Sequence, residues 1–293
     1  MIMATNAKKQ QTAASLAKHD IPLKIVAYII CIILAALSLT PFIVMFVNAT
    51  RGSSDISMNA FSFIPGKFLS RNWDTLTGKD FKPAVGFKNS FYVATCSTVL
   101  TLYFSTLTAY AIQAYTWKLK RPFFTFIMAV MMVPGQVTAI GFMQMIYKLH
   151  LTNTLEVLYL GAIAAPMLVF FMRQYMQASL NVEIIESARI DGANEFYTFN
   201  RLVLPIMKPA IATQGIFAFV NNWNQLFMPM VLLNDKTKYT LPIMVTLLRG
   251  DIYKTDFGSI YLGLSLTVIP LVIVYLLLSR YIVEGVAMGS VKG

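Results

Sequence analysis

Six stretches of this chain contain no charged residue: 25–50, 89–117, 122–147, 157–172, 209–234 and 257–279. Together they make up half of its 293 residues. At a helical rise of about 1.5 Å per residue, roughly 17–25 mostly apolar residues cross about 30 Å of hydrocarbon. Five stretches are long enough outright. The fourth becomes a span, from about Leu155 to Gln177, if Glu156 and Arg173 sit near the two interfaces, where arginine reaches water. Six buried helices in a soluble protein fit poorly. Only 13% of the residues are charged and the mean hydropathy is +0.62, whereas a soluble domain carries about 25% charged residues.

The pattern predicts an all-α polytopic membrane protein with spans at about 25–48, 88–114, 122–147, 155–177, 209–233 and 258–283. The transmembrane domain then covers 25–284, between a polar tail at 1–24 and a short tail at 285–293. The first apolar run is too long for the core of a signal peptide, so it reads as an uncleaved helix. The cluster Lys118, Lys120, Arg121 favours a cytoplasmic position for its loop, and with it cytoplasmic termini. The net charge of +11 is dispersed along the chain, which gives no sign of nucleic-acid binding. Cys31, Cys96, His19 and His150 match no metal-ligand or redox spacing. Two external loops, 51–88 and 235–256, are long enough to dock an outside partner or to pack over helix ends.

The loop 178–208 is too polar for a bilayer. Asn181 suits a helix N-cap with Glu183 in the first turn. Val182, Ile185 and Ala188 recur at helical spacing, and Gly192 can end the helix with positive φ. Asn194 can cap a second helix that places Phe196, Phe199 and Val203 on one face. Pro205 and Pro209 then break the chain before the fifth span. An amphipathic helix–turn–helix results, suited to a membrane surface or a soluble partner.

Within it, Glu186-Ser187-Ala188, three residues, Gly192, nine residues, then Leu202-Val203-Leu204-Pro205 resembles the EAA signature of ABC-importer permeases. Ser187 and Leu202 depart from that pattern by small changes in volume. Asp191-Gly192-Ala193 and the Leu204-Pro205 to Pro209 spacing resemble the sugar-importer branch. So do Asn89-Ser90, Asn222-Trp223-Asn224 followed by Pro229, and the ending Gly289 to Gly293. That ending resembles the second, maltose-type permease subunit of carbohydrate-uptake type I importers.

The resemblance implies the type I importer permease fold, with a coupling helix between spans four and five. It implies a bacterial or archaeal plasma membrane, a second permease subunit, two cytoplasmic ATPase subunits, an extracytoplasmic solute-binding protein and a sugar substrate. Loop 183–205 would transmit ATPase closure into alternating access, with Glu186, Ser187, Ala188, Asp191, Gly192, Leu204 and Pro205 at the ATPase. Gly289, Val291, Lys292 and Gly293 would reach toward the same partner. ATP and Mg would be bound there and no cofactor by this chain, which has no GxxxxGK[ST] phosphate loop. A secondary carrier usually has an ionisable residue in mid-membrane, and a membrane enzyme needs a catalytic constellation; neither is evident. Uncharged polar residues within spans, Gln136, Gln144, Asn221, Asn222, Trp223 and Asn224, are candidates for a substrate path. Trp223, Tyr110 and Phe227 have faces suited to a pyranose. Pro134-Gly135 should break the third span near Gln136.

Overall fold

A computed structural model describes residues 24–78, 81–248 and 256–277, with the first and last helices continuing beyond these limits as backbone. The elements in chain order are α1 (Ile2–Asn48), α2 (Ser53–Met58), α3 (Leu69–Gly78), α4 (Pro83–Ala114), α5 (Lys120–Val130), α6 (Gly135–Lys148), α7 (Glu156–Leu160), α8 (Pro166–Ser179), α9 (Val182–Ile190), α10 (Glu195–Thr198), α11 (Leu204–Ile206), α12 (Lys208–Trp223), α13 (Phe227–Leu232), α14 (Leu241–Leu247) and α15 (Phe257–Ser290). A 3₁₀ turn (Gly161–Ile163) follows α7, and a π turn (Phe199–Val203) joins α10 to α11. Among the described residues every element is helical.

Three helices are long and apolar enough to cross a bilayer alone: Lys24–Asn48, Pro83–Ala114 and Phe257–Leu277. The remaining spans are not straight helices. The third is α5 plus α6, bent by 98° where the chain passes Pro134. That break matches expectation. The fourth bends by 44° before Pro166, whose ring Cδ disfavours the helical region for Ala165. The fifth meets the preceding helical segment at 79° and breaks again at 224–226. There the ring of Pro229 cannot coexist with a helical carbonyl at Gln225. Neither of these two breaks was expected from the sequence. Arg173 does not simply reach for water: its guanidinium lies 4.0 Å above the centre of the Phe124 ring.

The chain divides into two compact units. One comprises residues 1–76 and 256–265. Its centre is Arg51, buried to 8% exposure. The guanidinium donates to Asn48 Oδ1 and to the carbonyls of Asn59 (both 2.8 Å) and Asp55 (3.1 Å). Asn48 Nδ2 donates to the Ala60 carbonyl, and Asn72 Nδ2 donates to the carbonyls of Ala49 and Arg51. Neutral acceptors thus meet the desolvated cation and hold the segment after α1 in one shape. A Cβ on Gly258 would lie 2.5 Å from Asn72 Nδ2 and 2.6 Å from the Arg51 carbonyl, so only glycine fits. Along 58–64 of the same unit, Met58, Phe61, Phe63 and Ile64 are exposed.

The other unit, 77–255 and 266–293, is built around α4. The buried face of α4 runs through Gly86, Ser90, Ala94, Ser97, Thr101, Ser105 and Ala109. Small residues at this spacing let α7, α8 and α12 approach closely. Thr101 Oγ1 donates to the Ala162 carbonyl (2.6 Å), which the 3₁₀ break leaves free. Asn89 Nδ2 donates to the carbonyls of Thr237 and Tyr239, and the Leu241 N–H donates to Ser90 Oγ. Asn89 and Ser90 therefore seat the described part of loop 235–256 over the start of α4.

Gly258→Ala should destabilise the first unit by about 1–3 kcal/mol through overpacking. Gly78→Ala, whose Cβ would meet nothing within 4 Å, serves as the control. Thermal unfolding of the purified full chain distinguishes them. Equal midpoints for both variants would contradict the tight seat at Gly258.

Candidate functional site

The helix–turn–helix between the fourth and fifth spans forms from local signals. The Asn181 side chain accepts the Glu183 N–H (3.2 Å) and caps α9. Asn194 accepts the Tyr197 N–H (2.8 Å) and caps α10. Between them Gly192 adopts φ +81°. The Ala193 N–H bonds the Ala188 carbonyl and the Gly192 N–H bonds the Arg189 carbonyl, a Schellman closure. The inward faces are apolar. Ile185, Phe199, Val203 and Met207, each at most 1% exposed, pack with Leu102, Ala109 and Tyr110 of α4 and with Met172 and Met176 of α8.

The expected shared face of Phe196, Phe199 and Val203 is only partly present. Phe199 and Val203 are buried, but Phe196 is 73% exposed. The physical reason is the π turn. The Leu204 N–H bonds the Phe199 carbonyl five residues back, and the extra residue rotates Phe196 off the buried face.

The expected contact residues separate by exposure. Glu186, Ser187, Asp191, Gly192 and Pro205 are exposed, Leu204 is half-buried, and Ala188 is buried beside Ile185. Ala188 thus packs within the chain instead of offering its surface outward. Val291, Lys292 and Gly293 lie outside the described residues, Gly289 is placed only as backbone of α15, and the tail residues before Lys24 only as backbone of α1. Ile190, 87% exposed, stands with Phe196 on either side of the Gly192 turn.

Four residues beyond the motif fix the turn to the bundle. Arg189 Nε donates to Glu195 Oε1 (2.8 Å), and the Tyr110 hydroxyl donates to Glu195 Oε2 (2.7 Å). The Arg189 guanidinium lies 4.9 Å from the centre of the Tyr115 ring. Burial pushes the Glu195 carboxyl up, but hydrogen bonds from Arg189, Tyr115 and Tyr110 outweigh it and hold the group below its usual value. A basic and an acidic residue straddling Asp191-Gly192 was the available sequence signal for this pair. No local pattern links it to Tyr110, which lies 85 positions away. Tyr110 is thereby committed to Glu195 and offers no ring face to a sugar.

The candidate path residues also separate. Asn222 and Trp223 line a cavity of about 370 Å³ between α4, α6, the 3₁₀ turn and α12–α13. Trp223 is buried, donates Nε1–H to the Thr267 carbonyl (3.0 Å) and stacks on Phe219. Gln136, Gln144, Asn221 and Asn224 lie outside that cavity on exposed surface, as does Phe227.

A depressed carboxyl contributes stability above its unfolded value, and that contribution is lost as pH falls through the folded value. The tie at Glu195 should therefore be complete at neutral pH and released in acid. Glu195→Gln should remove about 1 kcal/mol, a figure reduced for partial exposure. It should also speed amide exchange across 182–199 without affecting α4. Unchanged exchange in that segment would remove Glu195 from the support of the turn.

A family model described as binding-protein-dependent transport system inner membrane component matches residues 102–288. The arabinooligosaccharides transport system permease protein of Halalkalibacterium halodurans is 31% identical over 263 residues, covering 89% of this chain and 93% of that protein. The lactose transport system permease protein of Rhizobium radiobacter is 30% identical over 268 residues, covering 92% and 96%. The sn-glycerol-3-phosphate transport system permease protein of Yersinia pestis is 31% identical over 269 residues, covering 90% and 95%. A chain of a bacterial ABC transporter that imports the acidic polysaccharide alginate shares the fold, with TM-score 0.76 and 23% identity over 89% of this chain and 97% of its own.

Proposed function

The chain belongs to the family of binding-protein-dependent transport system inner membrane components, and on that premise we propose that it forms half of the pathway of an ATP-driven sugar importer. The observation that carries this reading is the capped helix–turn–helix with its outward surface left open. Glu186, Ser187, Asp191 and Gly192 are exposed together, beside the apolar Ile190 and Phe196. An exposed apolar tip rimmed by carboxylates suits a soluble protein that contributes a cleft and basic side chains. That partner is a cytoplasmic ATPase subunit, which binds ATP and Mg. Leu204 and Pro205 lie where this segment turns into the fifth span.

The remaining assembly follows from the same premise. A second permease subunit supplies the other half of the pathway, a second ATPase subunit serves it, and an external binding protein delivers the solute. Both termini face the cytoplasm in this reading, and Gly289, Val291, Lys292 and Gly293 contact the ATPases. The exposed amides of Gln136, Gln144, Asn221 and Asn224 then line the route between the two permeases. Sugar is the favoured cargo because relatives that transport arabinooligosaccharides and lactose match nearly the whole chain, and because amides exchange hydrogen bonds with hydroxyls.

Gly192→Pro and Glu186→Lys should each lower ATP-driven uptake at least tenfold in vesicles containing the assembled importer and trapped ATP. Proline fixes φ near −65°, opposite in sign to the +81° required, and lysine reverses the charge at the contact. Membrane insertion should be unchanged for Glu186→Lys. Full uptake by both variants, or uptake without any ATPase subunit, would contradict the coupling role.

A further inference from the structure

At the end of the bundle that carries the helix–turn–helix, four cations gather where α5 meets α8. Lys118, Lys120 and Arg121 come from the α4–α5 turn and the first turn of α5, and Arg173 comes from α8. Packing of Phe124 and Ile127 of α5 with Val169 of α8 holds the two helices together. The Arg173 guanidinium lies 4.0 Å above the centre of the Phe124 ring. Lys120 and Arg121 stand four and three residues before Phe124, at helical positions that neighbour it. Lys120, Arg121 and Arg173 therefore border one end of the same α5–α8 groove.

This charge is uncompensated. Between Tyr115 and Leu180 the sequence holds a single carboxylate, Glu156, at the other end of the fourth span. None of the four cations has a carboxylate partner among the described residues, and Glu195, beside Tyr115, is already engaged by Arg189 and Tyr110. Lys120 Nζ donates to the Tyr115 carbonyl (3.1 Å), which leaves its other N–H groups for a ligand. Away from the cations the groove turns apolar. The helices α5 and α8 belong to the third and fourth spans, so each turn away from the cations goes deeper into the bilayer. Met128 follows Phe124 by four residues on α5, and Phe170 precedes Arg173 by three on α8. All three apolar side chains are half-buried, so the groove is lined but not closed. The fitting ligand is anionic at one end and apolar along its length.

We propose that this groove seats an anionic phospholipid, with its phosphate held by Lys120, Arg121 and Arg173 and an acyl chain along Phe124, Met128 and Phe170. Lys118 adds longer-range attraction. Stacking on Phe124 pre-positions the planar guanidinium of Arg173, which reduces the ordering cost of binding. Basic clusters between membrane helices recognise lipid phosphates by this chemistry. A soluble acidic partner could meet the cations but not the apolar length of the groove, which lies at membrane depth. The site is independent of the importer reading, which supplies only the leaflet, the cytoplasmic one.

Native mass spectrometry of the purified full chain in detergent tests the assignment, with dioleoylphosphatidylglycerol, dioleoylphosphatidylcholine or inorganic phosphate added. Phosphatidylglycerol should bind at least about tenfold more tightly than phosphatidylcholine, and inorganic phosphate should not displace it. Each cation near a lipid phosphate is worth about fivefold in affinity. Arg173→Gln should therefore weaken phosphatidylglycerol about fivefold. Lys118→Gln combined with Arg121→Gln, at two exposed positions, should weaken it at least about tenfold without disturbing the packing. Lys82→Gln combined with Lys148→Gln removes the same charge at the other ends of the second and third spans and should leave the affinity unchanged. Equal binding of both lipids, or an affinity unchanged in the Lys118 and Arg121 pair, would overturn the site. Equal weakening in the Lys82 and Lys148 pair would reduce it to a general charge effect and overturn it too. Displacement by inorganic phosphate would mark a simple anion site, and binding of neither lipid would leave the cluster to a soluble acidic partner; each contradicts the proposal.

Discussion

The apolar seat of the helix–turn–helix is the contact on which the functional reading depends. Ile185, Phe199, Val203 and Met207 are fully buried against α4 and α8. Each such burial contributes about 1.5–3 kcal/mol, against at most about 1 kcal/mol for a partly exposed ion pair such as Arg189–Glu195. The seat therefore holds the element to the bundle, and the polar cluster around Glu195 sets its angle. A force applied at the exposed tip, Ile190 and Phe196, would reach α4 and α8 through packed side chains. The three methionines in this cluster, Met172, Met176 and Met207, have the adaptable shape that sliding helices require.

The same α4 that receives this seat also borders the cavity, through Ser90, Val93 and Ser97. Its small-residue face permits close packing at Ser105 and Ala109, near the turn. Farther along it leaves room where α6 is deflected and the fifth span is broken. The broken spans follow from the same constraint. Backbone freed from a helix within a membrane must find partners, as the Ala162 carbonyl does in Thr101, or border a cavity.

Local chemistry was legible in the sequence wherever a single residue decides the outcome. Asn181 and Asn194 cap as their side chains require, Gly192 takes the positive φ, and Pro134 breaks the third span. Features set by long-range packing were not legible. Nothing near Phe199 signals a π turn, so the exposure of Phe196 was missed. The bend before Pro166 was hidden because the run 157–172 is uniformly apolar. Trp223 looked like a platform for sugar, yet Thr267 takes its N–H and Phe219 covers a face. Arg51 looked like an ordinary residue of a polar loop, and only the folded segment brings three acceptors around it.

Under the proposed coupling role, the turn and α4 move as one piece when a partner ATPase closes on the turn. Spin labels at Ile190→Cys and Val99→Cys, both exposed sites, in a Cys31→Ser, Cys96→Ser background measure that directly in the assembled importer. With and without bound ATP, the distance distribution between the two labels should be the same. A shift in that distribution on ATP binding would mean that the turn moves independently of α4, contradicting the account.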